Sequence, residues 1–280
     1  MKKAFFIVIL SISFFYSTKL TYATKEESIP SPISFQIEIQ DWDAVNNILP
    51  KYSMFTVIDV ESGKSFNVQR RAGSRHADVQ PLTKEDTEIM KEIYDGNWSW
   101  RRRAVLILAH DNLIPASMHG MPHGTGSLQN GFHGHFCIHF FGSTTHRSGK
   151  SDLSHHIMIL KAAGRFDEYT NNLSPSQLLN VFFVTIKNGD KGLAKSIAIS
   201  NKKNINNELN KIKKIEAIQW TLPKTKETDL YSFTTEIPVE VNLLIKNVDP
   251  IRTKLSFTLV RTSPFSPWKV KIDPLFSAIH

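Results

Sequence analysis

The chain has 280 residues, of which 41% are hydrophobic and 10% aromatic, and its formal net charge is +8. This composition excludes an intrinsically disordered protein and is sufficient for a sizeable buried core. The chain holds a single cysteine, which excludes an internal disulfide.

Residues 1–23 are predicted to form a secretory signal peptide. Lys2 and Lys3 precede an apolar run over 4–16, and Thr21-Tyr22-Ala23 ends in a small residue suited to cleavage. The apolar run is shorter than the roughly 20 residues that a membrane span requires. We therefore expect an exported, extracytoplasmic protein with no membrane span after cleavage.

Cleavage removes three lysines and lowers the formal net charge from +8 to +5. A mild positive balance favours anionic partners. An exported protein is not expected to bind nucleic acid, and the lysine-rich stretch 202–214 is interpreted as a solvated face. Anionic cell-wall polymers are the expected partners, and a monomer is the expected state.

The segment 24–50 is predicted to be a polar linker followed by a first strand, because its apolar residues alternate at Phe35, Ile37 and Ile39. A hairpin is predicted over 54–60 and 65–71. A β-rich domain is therefore expected to begin at residue 51.

Short elements continue this domain to residue 168. Residues 76–81 are predicted to be a loop, and Thr83 is predicted to cap a helix that ends near Tyr94. Strands are predicted for the apolar runs 104–109, 114–121 and 135–142, and a helix for 151–163. A glycine-rich loop then separates the last two strands.

The composition changes after residue 168. Ser174-Pro175 is predicted to begin a helix that ends near Gly189, and a short helix is predicted over 193–199. Strand-like segments follow, with clean alternation over 239–245. Residues 169–280 are therefore predicted to form a smaller α+β accessory domain with a curved antiparallel sheet.

Eight of the 11 histidines lie within 38 consecutive positions, around the only cysteine, Cys137. A thiolate nucleophile needs a base, a group that orients the base, and backbone N–H donors for the oxyanion. His119 and His123 each precede a glycine and are candidate bases. His135 and His139 are expected on the same strand face as Cys137.

At these residues the chain resembles a divergent branch of the L,D-transpeptidase (YkuD-type) catalytic domain family. The matching segments are His123-Gly124, or alternatively His119-Gly120, and Gly134-His135-Phe136-Cys137-Ile138-His139. The hairpin turn Glu61-Ser62-Gly63 also resembles the opening of the family's domain. The resemblance covers residues 50–165, and it implies a mainly β protein whose catalytic domain, 51–168, is a β-sandwich with flanking helices.

The resemblance also implies an enzyme, a cysteine acyltransferase that acts on bacterial peptidoglycan stem peptides by L,D-transpeptidation or L,D-carboxypeptidation and needs no cofactor or metal. Cys137 would be the nucleophile, His123 the base, with His119 as its rival, and the Gly124 carbonyl the orienting group. His135 would be a site histidine beside the thiol. Substrate binding is expected at His139, Gly134 and Arg103, and the protein is expected to be secreted or associated with the cell wall.

Two other functions remain open. The first is a histidine-rich, metal-dependent hydrolase or metal-binding protein, since imidazoles are common ligands of zinc and copper. Its candidate ligands are His119, His123, His135, His139, His146 and Asp152. The second is a non-catalytic cell-wall-binding protein in which Cys137 is a buried strand residue.

The C-terminal region resembles, more weakly, the nuclear-transport-factor-like α+β modules. The resemblance depends on a helix followed by Ile-Lys-Asn-Gly-Asp, at 186–190, and on strands that end in Trp-Lys-Val, at 268–270. It implies a docking or small-ligand domain, and the alternative is an accessory that serves packing alone.

Overall fold

The structure, a computed structural model, describes residues 37–145, 149–224 and 231–279. The predicted signal peptide, 1–23, lies outside the described residues. All described residues belong to one compact unit. Within these ranges no helix has the length and apolar character needed to cross a membrane.

Six antiparallel strands close into a barrel. They are β1 (Met54–Asp59), β2 (Ser65–Ala72), β3 (Ala77–Pro81), β4 (Arg102–Ala109), β5 (Asn112–His119) and β6 (Phe136–His139). Their order around the barrel is β1-β2-β3-β6-β5-β4, and pairing of β1 with β4 completes the circle. The sequence predicted a β-sandwich in this part of the chain; the structure forms a β-rich unit there whose strands close into one barrel.

Alternation of side chains divides the barrel wall into an inner and an outer face. The inner face of β6 carries Phe136 and Ile138, which belong to the barrel's hydrophobic core. The outer face of the same strand carries Cys137 and His139, each only 3% exposed. The histidine-rich site therefore lies on the outside of the barrel wall.

Three helices pack around the barrel: α1 (Trp42–Ile48), α2 (Lys84–Ile93) and α3 (Leu153–Ala162). Helix α3 covers the outer face of β4 and β5. Its Ile157 and Leu160 contribute to a second hydrophobic core, together with Ala104 from the outer face of β4. This cover explains why polar residues on the outside of the barrel are buried.

The second core lies among the C-terminal helices and a five-stranded sheet. The helices are α4 (Phe166–Asn171), α5 (Pro175–Asn188), α6 (Lys191–Ser196), α7 (Ile205–Asn210), a 3-10 turn (Lys211–Lys214) and α8 (Asp273–Ser277); the strands are β7 (Ala198–Ile199), β8 (Ile215–Thr221), β9 (Thr234–Ile245), β10 (Ile251–Val260) and β11 (Lys269–Lys271). The sheet order is β7-β11-β10-β9-β8, antiparallel except between β7 and β11. The alternation predicted for 239–245 is confirmed, because Val239, Val241, Leu243 and Ile245 are buried. A domain boundary at 168/169 stays a prediction.

The predicted helix starts are confirmed at two capping boxes. The Thr83 hydroxyl accepts from the Asp86 N–H, and the Asp86 carboxylate accepts from the Thr83 N–H. Ser174 and Gln177 make the same exchange at the start of α5, which ends at Asn188, just before the predicted Gly189. Such reciprocal bonds satisfy backbone donors that a helix start leaves open.

Two predicted elements are corrected. Residues 37–40 do not form the expected first strand; Ile37 makes an isolated bridge with Leu113, and α1 follows. The buried residues Trp42, Val45 and Leu49 have the spacing of one helix face, and this spacing outweighs the short alternation before it. Residues 35 and 36 lie outside the described part of the chain.

The second correction concerns 76–81, which was predicted to be a loop. Residues 77–81 form β3, a fully buried strand between β2 and β6. Ala77 and Val79 face the barrel core, whereas Asp78 and Gln80 face outward. Asp78 and Gln80, the polar residues that suggested a loop, are buried although they face outward, because the other residues of the site and the glycine-rich loop cover them.

Candidate functional site

Strand register brings the site's side chains together on the outer face of the barrel. Three pairs of residues lie directly opposite one another in neighbouring strands: Asp78 and Cys137, Ser117 and His139, and Arg102 and His119. Directly opposed side chains have Cβ atoms about 5 Å apart. A thiol, a carboxylate, a guanidinium and two imidazoles are thereby placed on one surface.

His123 reaches this surface because the loop between β5 and β6 folds back on itself. The N–H of His123 donates to the His135 carbonyl at 2.9 Å, and the N–H of His135 donates to the His123 carbonyl at 2.8 Å. Gly134 permits this approach: its φ is +95°, and a Cβ there would lie 2.4 Å from the His123 carbonyl oxygen. A side chain at this position would therefore displace His123.

Strand β3 holds the rest of the glycine-rich loop. The Gln80 Oε1 atom accepts from the backbone N–H of Ser127 at 3.0 Å and of Leu128 at 3.3 Å. The Asn130 amide donates to the Pro81 carbonyl. These contacts fix the middle of the loop to β3, and such an anchored loop can hold a side chain in place.

The thiol of Cys137 contacts one imidazole and one carboxylate. Its Sγ lies 3.3 Å from His123 Nε2 and 3.6 Å from Asp78 Oδ1. His123 Nδ1 lies 3.1 Å from the carbonyl oxygen of Met121. A carbonyl oxygen can only accept, so Nδ1 carries the proton and Nε2 presents its lone pair to the thiol.

The surroundings of Cys137 keep the thiol protonated at rest. Burial raises the pKa of Cys137, and the charge and hydrogen bond of Asp78 raise it further. The positive charge of Arg102 acts in the opposite direction. The thiol therefore becomes a nucleophile only when a base takes its proton.

A column of three buried imidazoles lies behind the thiol. His76 stacks on His139 with ring centroids 4.3 Å apart, and His139 stacks on His155 at 3.8 Å. His155 Nδ1 lies 2.9 Å from the Ser117 hydroxyl. Burial and then the neighbouring His139 hold the pKa of His155 well below its usual range, so this ring is neutral at neutral pH.

His119 and Trp100 lie on the other side of His123. The His119 ring is 5.2 Å from the His123 ring, and the Trp100 ring is 4.7 Å from His119 and 5.5 Å from His123. Burial, followed by the charge of Arg102, holds the pKa of His119 well below its usual range. Trp100 is 50% exposed, so it presents an aromatic face to solvent beside the candidate base.

The sequence-predicted catalytic residues are brought together. One ring nitrogen each of His119 and His123 and the Cys137 Sγ lie within 4.8 Å of one another. A ring nitrogen of His135 lies within the same distance of the Cys137 Sγ. His123 makes the direct contact with the thiol. The expected orienting group differs, since the carbonyl that faces His123 Nδ1 belongs to Met121 and not to Gly124. Gly124 instead lies against the His135 ring.

The three residues expected to bind substrate have other contacts. Arg103 makes two hydrogen bonds to Asp59, at 2.8 and 2.7 Å, on the opposite face of β4 from the site. His139 is 3% exposed and lies between two rings of the imidazole column. Gly134 has no side chain to offer and instead permits the close approach of the His123 backbone. Neighbouring residues of a strand face opposite sides, so Arg102 rather than Arg103 faces the site.

Arg102 is held in place by its neighbours. Its Nη2 donates to Asp152 at 2.8 Å, and its Nη1 donates to the Trp100 carbonyl. Its Nε is buried, and no described residue offers that atom a hydrogen-bond partner. Asp152, a candidate metal ligand by sequence, is thus engaged with Arg102 and with the start of α3.

The side chains of the site also include three groups whose atoms are close enough to hold a metal ion. They are His76 with Cys137 and His139, His119 with His123 and Cys137, and Asp78 with His135 and Cys137. Each group contains the Cys137 thiol, so they are alternatives and not three separate sites. His146, another candidate from the sequence, lies outside the described residues.

Sequence reasoning missed Asp78, His76 and Arg102. The alternation of Ala77 and Val79 with Asp78 and Gln80 was a signal for a strand, but it is only five residues long. Distinguishing Arg102 from Arg103 required the direction in which β4 faces the barrel core. The face of β4 that points inward is set by which of its residues pack into the barrel core, and the local sequence alone does not show this.

Comparison of the chain with protein-family models and with curated proteins gave no match.

Proposed function

We propose that the protein is an exported cysteine-nucleophile enzyme that acts on the stem peptides of bacterial peptidoglycan. One observation carries the proposal: the Cys137 thiol lies 3.3 Å from a His123 nitrogen whose ring is oriented by a backbone carbonyl. A nucleophile, its base and an orienting group in this arrangement are the requirements for acyl transfer through a covalent intermediate.

In the proposed reaction the Cys137 proton moves to His123 Nε2 as the sulfur attacks the carbonyl carbon of an amide. The tetrahedral intermediate collapses when the C–N bond breaks, and His123 returns the proton to the departing D-alanine amine. A thioester remains on Cys137. An amine of a second stem peptide, or water, then attacks the thioester and restores the thiol, with His123 again accepting and returning the proton.

The substrate class follows from the motif resemblance and from the groups at the rim of the site. The His-Gly and Gly-His-Phe-Cys-Ile-His segments are similar to those of L,D-transpeptidases, and a stem peptide carries free carboxylates. The guanidinium of Arg102, whose side chain is 16% exposed, supplies a positive charge on the thiol's side of the barrel. The exposed Trp100 supplies an apolar surface beside His123. We also propose that the protein is secreted or associated with the cell wall and that anionic wall polymers are among its partners.

The test uses the protein without its signal peptide, incubated with purified muropeptides that carry tetrapeptide stems. Intact-mass spectrometry should show a thioacyl adduct on the wild-type chain together with free D-alanine. Cys137→Ala should give neither. His133→Gln provides a matched control, because His133 belongs to the same loop and is exposed; this variant should react as the wild type does.

A second candidate function, metal-dependent hydrolysis, is favoured by the three groups of closely spaced imidazole, thiol and carboxylate atoms. Imidazole and thiolate are the ligands that zinc prefers. A chelator distinguishes the two candidates. Hydrolysis that a chelator abolishes and zinc restores, with no thioacyl adduct, would replace the cysteine proposal. Adduct formation in the presence of the chelator would support it. Wall binding without any product would favour the non-catalytic function.

A further inference from the structure

The two side chains proposed to meet substrate at the rim of the site, Trp100 and Arg102, belong to one short segment of backbone. Trp100 lies beside the rings of His119 and His123 and is 50% exposed. Arg102 begins β4 and lies opposite His119. One residue separates Trp100 from Arg102, so whatever fixes the backbone here fixes both rim groups together.

The barrel strands hold this segment on one side. On the β5 side, the N–H of Gly120 donates to the Ser99 carbonyl at 2.8 Å, and Arg102 pairs with His119. On the other side, the pairing of β4 with β1 covers residues 105–108 and does not reach Arg102. The start of β4 is therefore an edge that β1 leaves uncovered, and its backbone groups need other partners.

The end of helix α5 covers this edge. The Oδ1 of Asn188, the last residue of α5, accepts from the backbone N–H of Arg102 at 3.1 Å. The Nδ2 of Asn188 is buried, and none of the described residues offers it an acceptor. The amide of Asn188 thus acts as an acceptor for β4, in the place that a neighbouring strand would otherwise take.

A second contact holds Arg101, the residue between the two rim groups. Its Nη2 donates to the carbonyl of Ile215, at the start of β8, at 2.6 Å. Gly189, which follows α5, lies against the same guanidinium: a Cβ at Gly189 would lie 3.1 Å from Arg101 Nη1. The segment that carries Trp100 and Arg102 is therefore bound to a C-terminal helix and to a C-terminal strand.

The turn after α5 also contacts helix α3. The carboxylate of Asp190 pairs with Lys161 in the last turn of α3. Asp152, at the start of the same helix, accepts from the Arg102 guanidinium. Residues 188–190 thus reach the Arg102 backbone directly and its side chain through α3.

We infer that the C-terminal helices and sheet set the position of the site's rim, and that Asn188 is the positioning residue through which they hold Trp100 and Arg102 in place for substrate. The inference rests on the proposed function, in which these two side chains meet the stem peptide. Asn188 itself has no direct contact with substrate. The C-terminal part of the chain then has a role in the reaction that packing alone would not give it.

The test compares Asn188→Leu with Asn180→Leu. Asn180 lies on the same helix, and its Oδ1 accepts from the indole N–H of Trp220 at 2.8 Å, among the C-terminal elements. Each substitution removes one accepted hydrogen bond, but the bond of Asn188 is the one that reaches β4. Arg102→Gln serves as the reference for loss of the charge at the rim.

The first measurement is the ratio of the rates at which iodoacetate and iodoacetamide alkylate Cys137, the chain's one cysteine. The two reagents differ by a carboxylate, so the reactivity of the thiol cancels in the ratio. The positive charge of Arg102 acts at the thiol and favours the anionic reagent. The ratio should fall about threefold or more in Arg102→Gln and in Asn188→Leu, and in Asn180→Leu it should stay within about twofold of the wild type.

The second measurement is steady-state kinetics with tetrapeptide muropeptides. Rim contacts remote from the reacting bond bind substrate and transition state alike, so Asn188→Leu should raise KM about threefold or more and change kcat by less than about twofold. Asn180→Leu should keep both values. An unchanged ratio or an unchanged KM in folded Asn188→Leu, or equal changes in the two asparagine variants, would overturn the inference.

Alkylation needs no peptidoglycan, so the two proposals can fail separately. The expected ratios in a protein that is inactive on muropeptides would refute the proposed function and leave Asn188 as the residue that places Arg102. Wild-type ratios in an active Asn188→Leu enzyme would overturn the inference alone. If Asn188→Leu does not fold, amide hydrogen exchange of the wild-type protein decides: the Arg102 N–H should be protected although β1 does not reach it, and exchange at the rate of an unprotected amide would overturn the inference.

Discussion

His123 Nε2 and Cys137 Sγ lie 3.3 Å apart although the two residues are 14 positions apart in the chain. The contact depends on the paired backbone hydrogen bonds between His123 and His135, which fold the glycine-rich loop back onto β6. His119, the rival base, accepts from the Met121 N–H through its Nδ1 at 3.4 Å. Its direct partner is therefore backbone and not the thiol.

The first prediction separates the two candidate bases. His123→Gln should reduce the rate of thioacyl-enzyme formation by about 100-fold or more, because a positioned general base contributes at least this much. His119→Gln should reduce it by less than about tenfold. Stopped-flow or quenched mass spectrometry with muropeptides would measure both rates. Equal losses in the two variants would contradict the assignment of His123 as the base.

The second prediction concerns Gly134, which permits the approach of His123. Gly134→Ala should lower the free energy of unfolding and slow Cys137 alkylation, since its Cβ would displace the His123 carbonyl. Gly131→Ala is the matched control. Gly131 also has a positive φ, +78°, but a Cβ there would meet no atom within 4 Å.

The control should lose about 1 kcal/mol of stability from its positive φ and keep the wild-type alkylation rate. Gly134→Ala should lose more than the control in urea unfolding and also become less reactive. If the two variants were equally stable and equally reactive, the close approach at Gly134 would have no role in placing the base.

The third prediction distinguishes two adjacent arginines. Arg103→Gln should lower the free energy of unfolding by about 3 kcal/mol or more, because it leaves the fully buried Asp59 carboxylate without its charged partner. Arg102→Gln should affect stability less, since its partner Asp152 is partly exposed. It should instead raise the KM for stem peptides. Urea unfolding would give the free energy of unfolding of each variant, and steady-state kinetics would give its KM for stem peptides.

The pH dependence of the Arg103→Gln loss provides a further check. Burial alone would raise the pKa of Asp59, but the hydrogen bond and charge of Arg103 outweigh it and lower that pKa. A carboxyl with a lowered pKa in the folded state stabilises the protein above its unfolded pKa, near 3.8, and this contribution is lost as the pH falls below that value. The difference between wild type and variant should therefore shrink on acidification; a difference that grew would contradict the pairing.

The contact between Cys137 and His123, the proposed nucleophile and base, could be predicted from sequence because the motif is local. Cys137 lies in a short apolar run, and the histidines and glycines before it are close enough in the chain to fold back. The helix starts at Thr83 and Ser174 were predictable for the same reason, since a capping box lies within four residues. Local chemistry determines such features.

The carboxylate partner was not predictable in this way. Asp78 is 59 positions from Cys137, and only the pairing of β3 with β6 places them opposite each other. Its neighbours, Gln80 and Pro81, are typical of loops, and nothing in the local sequence shows that the glycine-rich loop covers this face. The same limit applies to Arg102, whose direction is set by which face of β4 packs into the barrel core.

The fourth prediction is that the protein loses stability in mild acid through His155 and His119. Burial holds both pKa values well below the usual value near 6.5, so the folded state binds fewer protons than the unfolded state below that pH. The free energy of unfolding should therefore fall as the pH drops from about 7 to 5, by at most about 1.4 kcal/mol per pH unit for each histidine.

His155→Phe should flatten this dependence. A phenyl ring can keep the stacking on His139 but cannot be protonated, so the variant should lose less stability between pH 7 and 5 than the wild type. Loss of the bond to Ser117 lowers stability at every pH and does not affect the slope. His133→Phe is the control, because an exposed histidine should leave the slope as it is in the wild type. Urea unfolding at a series of pH values measures the slopes, and equal slopes in His155→Phe and the wild type would exclude His155 as a source of the acid sensitivity.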